Sequence, residues 1–93
     1  MYKITDYTKN KAKELGVTVK PSKNKKKKID VYRKSEKLAE IGSMKYIKND
    51  YPTYIINEGK QYADERRRLY KIRHSKDLKK KDSPGYFANK LLW

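Results

Sequence analysis

The chain has no cysteine, so disulfides, thiolate catalysis and Cys-ligated zinc are all excluded. Its one histidine, His74, leaves no second imidazole to complete a His-based metal site. Apolar residues are scarce at 35%, and no stretch approaches the ~18 continuous apolar residues of a membrane span. The opening residues Met1-Tyr2-Lys3-Ile4-Thr5-Asp6 lack the apolar core of a signal peptide. Tryptophan and phenylalanine occur once each, whereas a helix lying on a membrane presents a clean face rich in Leu, Phe and Trp. These absences lead to the expectation of a soluble, intracellular protein without a membrane partner. With 93 residues, the chain is long enough for one small domain spanning 1–93, and its core is expected to be thin.

Negative charge is also in short supply. Eleven Asp and Glu stand against 26 Lys and Arg, a formal net charge of +15. Self-repulsion on that scale opposes compaction unless anions are present, and a partner that neutralises it stabilises the fold. Nucleic acid is the partner class that supplies a dense negative array without an apolar anchor.

Along the chain the pattern predicts an α+β fold. Ile4 to Leu15 reads as a short helix, capped by Thr5 or Asp6 and ended by Gly16. Its face would carry Ile4, Tyr7, Ala12 and Leu15, with Lys9, Lys11 and Lys13 turned to water. Val17 and Val19 alternate with polar residues as a short strand does. Residues 20–28 hold six lysines and no apolar residue but Pro21, and are expected to form a mobile basic loop. Ile29, Val31 and Arg33 alternate with Asp30 and Tyr32, and Leu38-Ala39-Glu40-Ile41 returns, giving a small antiparallel hairpin. Between them Lys34-Ser35-Glu36-Lys37 lacks the Asn-Gly or Asp-Gly of a tight turn, so a four-residue turn is expected. Pro52 opens a long basic helix that runs to about Asp77 with Gly59 inside it. Residues 79–83 form a basic linker. Ser83-Pro84 then starts a short C-terminal helix whose Tyr86, Phe87, Leu91, Leu92 and Trp93 fold back as the lid of the core. Leu91-Leu92-Trp93 serves either this core or a homo-oligomeric interface.

Catalysis finds little support. His74 precedes Asp77 by three residues, a spacing at which a carboxylate orients a base, but its neighbours Lys71, Arg73 and Lys76 favour a plain basic surface. Asp64-Glu65 is an adjacent acidic pair, and neighbours on a helix point in different directions, whereas Mg²⁺ chemistry needs convergent carboxylates. No phosphate-binding glycine motif is present. The expectation is a protein that is not an enzyme and holds no cofactor.

The basic residues carry the functional reading. Lys60, Arg67, Lys71 and His74 recur at helical spacing and suggest a stripe along a phosphate backbone, joined by Arg66, Arg68 and Arg73 on the same helix. Lys25, Lys26, Lys27 and Lys28, and then Lys79, Lys80 and Lys81, add charge on loops. Arginine grips a phosphate bidentately, whereas lysine acts as a mobile point charge. Tyr32 and Arg33 on the hairpin are the candidates to stack on a base or reach a base edge. Most of the nine tyrosines are needed for the core, with one or two left for bases. Phosphate contact with little sequence preference is the expectation.

The runs Asp50-Tyr51-Pro52-Thr53-Tyr54, Tyr62-Ala63-Asp64-Glu65-Arg66-Arg67-Arg68-Leu69-Tyr70, Arg73-His74 and Ser83-Pro84-Gly85-Tyr86-Phe87-Ala88-Asn89-Lys90-Leu91-Leu92-Trp93 resemble a family of small basic proteins encoded by large double-stranded DNA viruses and phages. The resemblance implies a viral setting, in the host nucleus or cytoplasm or packaged in the virion, and DNA ahead of RNA as partner. It supplies no activity and no site residues. Within that setting the role is genome coating, condensation or accessory DNA binding. The alternative is a structural virion component, such as a minor capsid protein, that contacts other virion proteins through its apolar C-terminal helix and tyrosines. A weaker third option is an RNA or ribosome partner.

Overall fold

In the computed structural model, which describes residues 2–93, four helices pack with a three-stranded antiparallel sheet in an α+β arrangement. Helix α1 spans Asp6–Leu15; Thr5 caps it by accepting from the Thr8 amide, and Gly16 closes it in the left-handed region. Strands β1 (Thr18–Pro21), β2 (Lys27–Arg33) and β3 (Glu36–Ser43) follow in the spatial order β1-β2-β3. A 3₁₀ turn at Met44–Tyr46 leads to α2 (Tyr51–Glu58) and α3 (Lys60–Arg73). A second 3₁₀ segment, Ser75–Lys79, precedes α4 (Pro84–Leu91).

Three sequence expectations change here. The stretch 20–28 is not a free loop: Lys20 and Pro21 pair with Asp30 and Ile29, and Lys27 pairs with Ser43, so only residues 22–26 connect strands. Asn24 organises that connection, its side chain accepting from the Lys26 amide and donating to Glu40. The hairpin turn is the two-residue Lys34-Ser35, with φ of 50° and 70° and Arg33 opposite Glu36. Antiparallel strand twist favours such a turn even though neither residue is glycine. The long helix is two helices, divided at Gly59, whose φ of 91° and ψ of 162° lie where only glycine sits without strain.

The core joins the sheet to α4. Ile29, Val31, Ala39 and Ile41 from the sheet meet Phe87, Leu91, Leu92 and Trp93, all of them buried. Ser83 caps α4 and Pro84 begins it, so the lid expected from the sequence forms. Leu91-Leu92-Trp93 therefore belongs to the core of the single chain. Gly42 is needed for this closure: a Cβ there would stand 2.8 Å from Lys28 Cδ and 2.9 Å from Leu92 Cδ1. The start of the chain is stitched to its later helices. Thr8 Oγ1 donates to Leu91 O (2.9 Å), Tyr7 Oη to Trp93 O (3.2 Å) and Tyr2 Oη to Asp50 Oδ2 (2.8 Å).

Beneath this lies a buried ion pair that the sequence concealed. Lys28 is 2% exposed and its Nζ donates to Asp50 Oδ2 at 2.9 Å. Asp50 also caps α2 by accepting from the Thr53 amide, so one carboxylate satisfies a helix start, a phenol and an ammonium. Burial and the Asp50 charge push the Tyr2 hydroxyl well above the usual phenol range. Among the described residues no helix is long and apolar enough to cross a membrane.

Candidate nucleic-acid interface

Helix geometry decides what the basic run of α3 can do. Consecutive residues on a helix are ~100° apart, so Arg66, Arg67 and Arg68 point to three different surroundings. Arg68 is tied to Glu65 by two hydrogen bonds, 2.6 and 3.1 Å long. Arg67 lays its guanidinium over the Tyr51 ring, 4.1 Å from the centroid. Arg66 lies over Tyr54 at 5.8 Å.

Arg67 and Lys71 line a cavity of about 290 Å³ together with Lys11 of α1 and Lys90 of α4. Tyr7 and Trp93 add ring surface, and Glu14 is the one acidic side chain in the lining. Glu14 is itself exposed and sits 3.8 Å from Lys11. Lys71 donates to Asn89 Oδ1 (2.7 Å) and Asn89 O (3.1 Å), both neutral acceptors. Burial, then the charges of Lys90, Arg67 and Lys11, hold its ammonium down at about 8 against an ordinary 10.5. Four cations from three helices thus converge with their charge largely uncompensated.

The remaining candidates separate into groups. His74 does not join Arg67 and Lys71 but lines a second cavity with Arg66 and Arg73, so the expected single stripe divides between two cavities. Lys60 is engaged with Asp64 at 2.8 Å. Arg33 is bound to Asp82 by bonds of 2.9 and 3.4 Å; it clamps the hairpin to the 79–83 segment and is not held out for a base edge. Lys28 is buried, with its charge met by Asp50. Lys25 and Lys26, and Lys79, Lys80 and Lys81, are exposed, while Lys27 is half-buried. Tyr32 is half-buried with Lys20 over its ring at 5.5 Å; the exposed rings are Tyr46 and Tyr62.

The carboxylates are spent on the fold. Eight of the eleven make ion pairs, with His74 and six of the 26 Lys and Arg, which leaves 20 Lys and Arg outside any ion pair among the described residues. Burial raises the Asp30 carboxyl, but hydrogen bonds from Ser22 and Lys23 and the Lys37 charge prevail and bring it below its ordinary value. Among the described residues no three His, Asp or Glu side chains converge as a metal site would require.

The chain matches no family model, no curated protein and no solved structure. Its site is therefore read from its own residues. Sequence reasoning missed Lys11 and Lys90. Lys11 lies four residues from both Tyr7 and Leu15, which places it on the flank of the core-facing side of α1, and that spacing was the available signal. Lys90 borders Asn89 and Leu91, both fully buried, but its approach to Arg67 depends on packing between helices that no local pattern encodes.

Proposed function

We propose that this protein binds nucleic acid through the phosphate backbone, with little sequence preference, and that it is not an enzyme. One observation carries the reading: Lys11, Arg67, Lys71 and Lys90 surround one cavity in which Glu14 is the sole acidic side chain. Like charges are costly to hold together in a fold, and a phosphate between them offsets that cost through charge-assisted hydrogen bonds. Arg67 is oriented by the Tyr51 ring while its outer nitrogens stay outside any ion pair, an arrangement suited to gripping two oxygens of a phosphate. The lysines at 25–27 and 79–81 extend the field around this centre and favour encounter with a polyanion. DNA in a viral setting, as genome coat or accessory binder, is the partner that the family resemblance favours.

The capsid-component alternative loses its main resource, because Phe87, Leu91, Leu92 and Trp93 are buried within the chain. The test is binding to labelled duplex DNA over a salt series. A steep negative slope of log affinity against log salt is expected, similar for unrelated sequences, and Lys11→Gln and Lys90→Gln should each lower it by about one. Slopes unchanged in both variants would remove the cavity from the interface. Weak binding at about 150 mM salt would assign the charge to protein assembly.

A further inference from the structure

On an adjoining side of α3 lies a larger cavity of about 460 Å³, within the range of small-ligand sites. Its walls differ in kind from those of the first. Tyr46, Tyr54, Tyr70, His74 and Trp93 supply ring surface, and Arg66 and Arg73 supply charge. The two arginines are seven residues apart with Tyr70 between them, which puts all three on one side of the helix. Tyr70 is stacked on Trp93 (centroids 4.3 Å, planes 6° apart) and on His74 (4.2 Å, 22°). Both faces of Tyr70 are thus covered and Trp93 is buried, so the column is a preformed wall whose outer ring is His74. Tyr46, 54% exposed, also lines the cavity, with Lys45 Nζ over its ring at 5.8 Å.

Two features select the occupant. No Asp or Glu lines this cavity, and neither Arg66 nor Arg73 is in an ion pair among the described residues, so an aromatic cage for a cation is excluded by charge. Lys28, at the floor, has its charge already met by Asp50. The Arg66 Nε is buried with no hydrogen-bond partner, an orphaned donor of the sort that native folds seldom leave without a reason. A ligand with a negative oxygen and a flat ring answers both the arginines and the rings.

We infer that this cavity receives the base and phosphate of one unpaired nucleotide, so that the protein prefers single-stranded to duplex nucleic acid. The inference rests on the phosphate-binding reading above and adds the state of the strand. In a duplex both faces of every base are covered by their neighbours, and ring surfaces gain nothing from it. In a single strand each base offers a face to an aromatic platform. Ser43 and Asn49, also in the lining, offer hydrogen bonds to whatever base edge enters.

The experiment compares the full chain on single-stranded and duplex DNA of equal length at one salt concentration, with Tyr46→Ala and Arg67→Gln as variants. Trp93 lines both cavities and is the only tryptophan, so its fluorescence reports a change in the ring column it belongs to. Adenosine monophosphate should quench it, and ribose 5-phosphate, which has no base, should leave it nearly unchanged. Single-stranded DNA should bind more tightly than duplex. Tyr46→Ala should cost roughly 5- to 100-fold on the single strand and little on the duplex, whereas Arg67→Gln should weaken both alike. Equal affinity for the two forms, or an equal loss on both in Tyr46→Ala, would overturn the inference and leave phosphate binding standing. Binding to neither form would overturn the phosphate reading and the inference with it.

Discussion

Lys71 shows how much a single side chain can carry. It holds α4 by its bonds to Asn89 and sits among Lys90, Arg67 and Lys11, with Glu14 as the facing carboxylate. Its depressed ammonium means that between about 8 and its ordinary value the unfolded chain holds the proton and the folded one does not. This group's contribution to stability therefore rises with pH across that window. A bound phosphate reverses the local balance and returns the ammonium toward its ordinary range, so binding takes up a proton. Duplex affinity should be flat below about pH 7 and fall as pH rises through 8. Lys71→Arg should remove that fall while keeping the charge. Titrations from pH 6.5 to 9.5 check this; a fall that persists in the Arg variant would assign it elsewhere. Lys28 is the counter-example among the lysines. Within the run 25–28 its neighbours gave no hint of burial, because its partner Asp50 is 22 residues away and composition says nothing about such a pair.

At the level of elements, what was local was legible. Thr5, Ser83 and Gly16 terminate their helices as their residue types predict, and the alternation of Ile29, Val31, Ala39 and Ile41 placed the sheet. The breaks were harder. Gly59 was visible inside a helical pattern, but whether it kinks or ends a helix depends on α2 and α3 packing against each other. The Lys34-Ser35 turn was misjudged because its residues are poor for the conformation they adopt; the strands on either side impose it. That mismatch makes a prediction: Lys34→Asn with Ser35→Gly should stabilise the protein by about 0.5–1 kcal/mol, read as a higher denaturation midpoint in urea. An unchanged or lower midpoint would mean that the turn is not strained by its side chains. The consecutive arginines 66–68 carry the same lesson, since a basic run on a helix faces several ways and only neighbours decide which charge is left free.

For the whole molecule, the 20 Lys and Arg outside any ion pair among the described residues set the energetics. Eight of the eleven acidic side chains are already held in ion pairs, so repulsion among the remaining cations is screened mainly by solution ions. Raising sodium chloride from about 20 to about 500 mM should increase the melting temperature by several degrees, while the same change weakens DNA binding. A melting temperature that falls with salt would show that the ion pairs, and not the unpaired cations, dominate. That opposition could not be read from net charge alone, which leaves open which cations have partners.

The stitching of α1 to α4 has a consequence in time. Thr8 and Tyr7 find their acceptors on Leu91 and Trp93, 83 and 86 residues along. A growing chain on the ribosome therefore presents its first helix and sheet long before the segment that covers them exists. Neither can be held in place until α4 has left the exit tunnel. Folding then waits on a few very long-range contacts and comes together once they close, and until then the lysine-rich chain stays open beside the RNA of the machine that makes it.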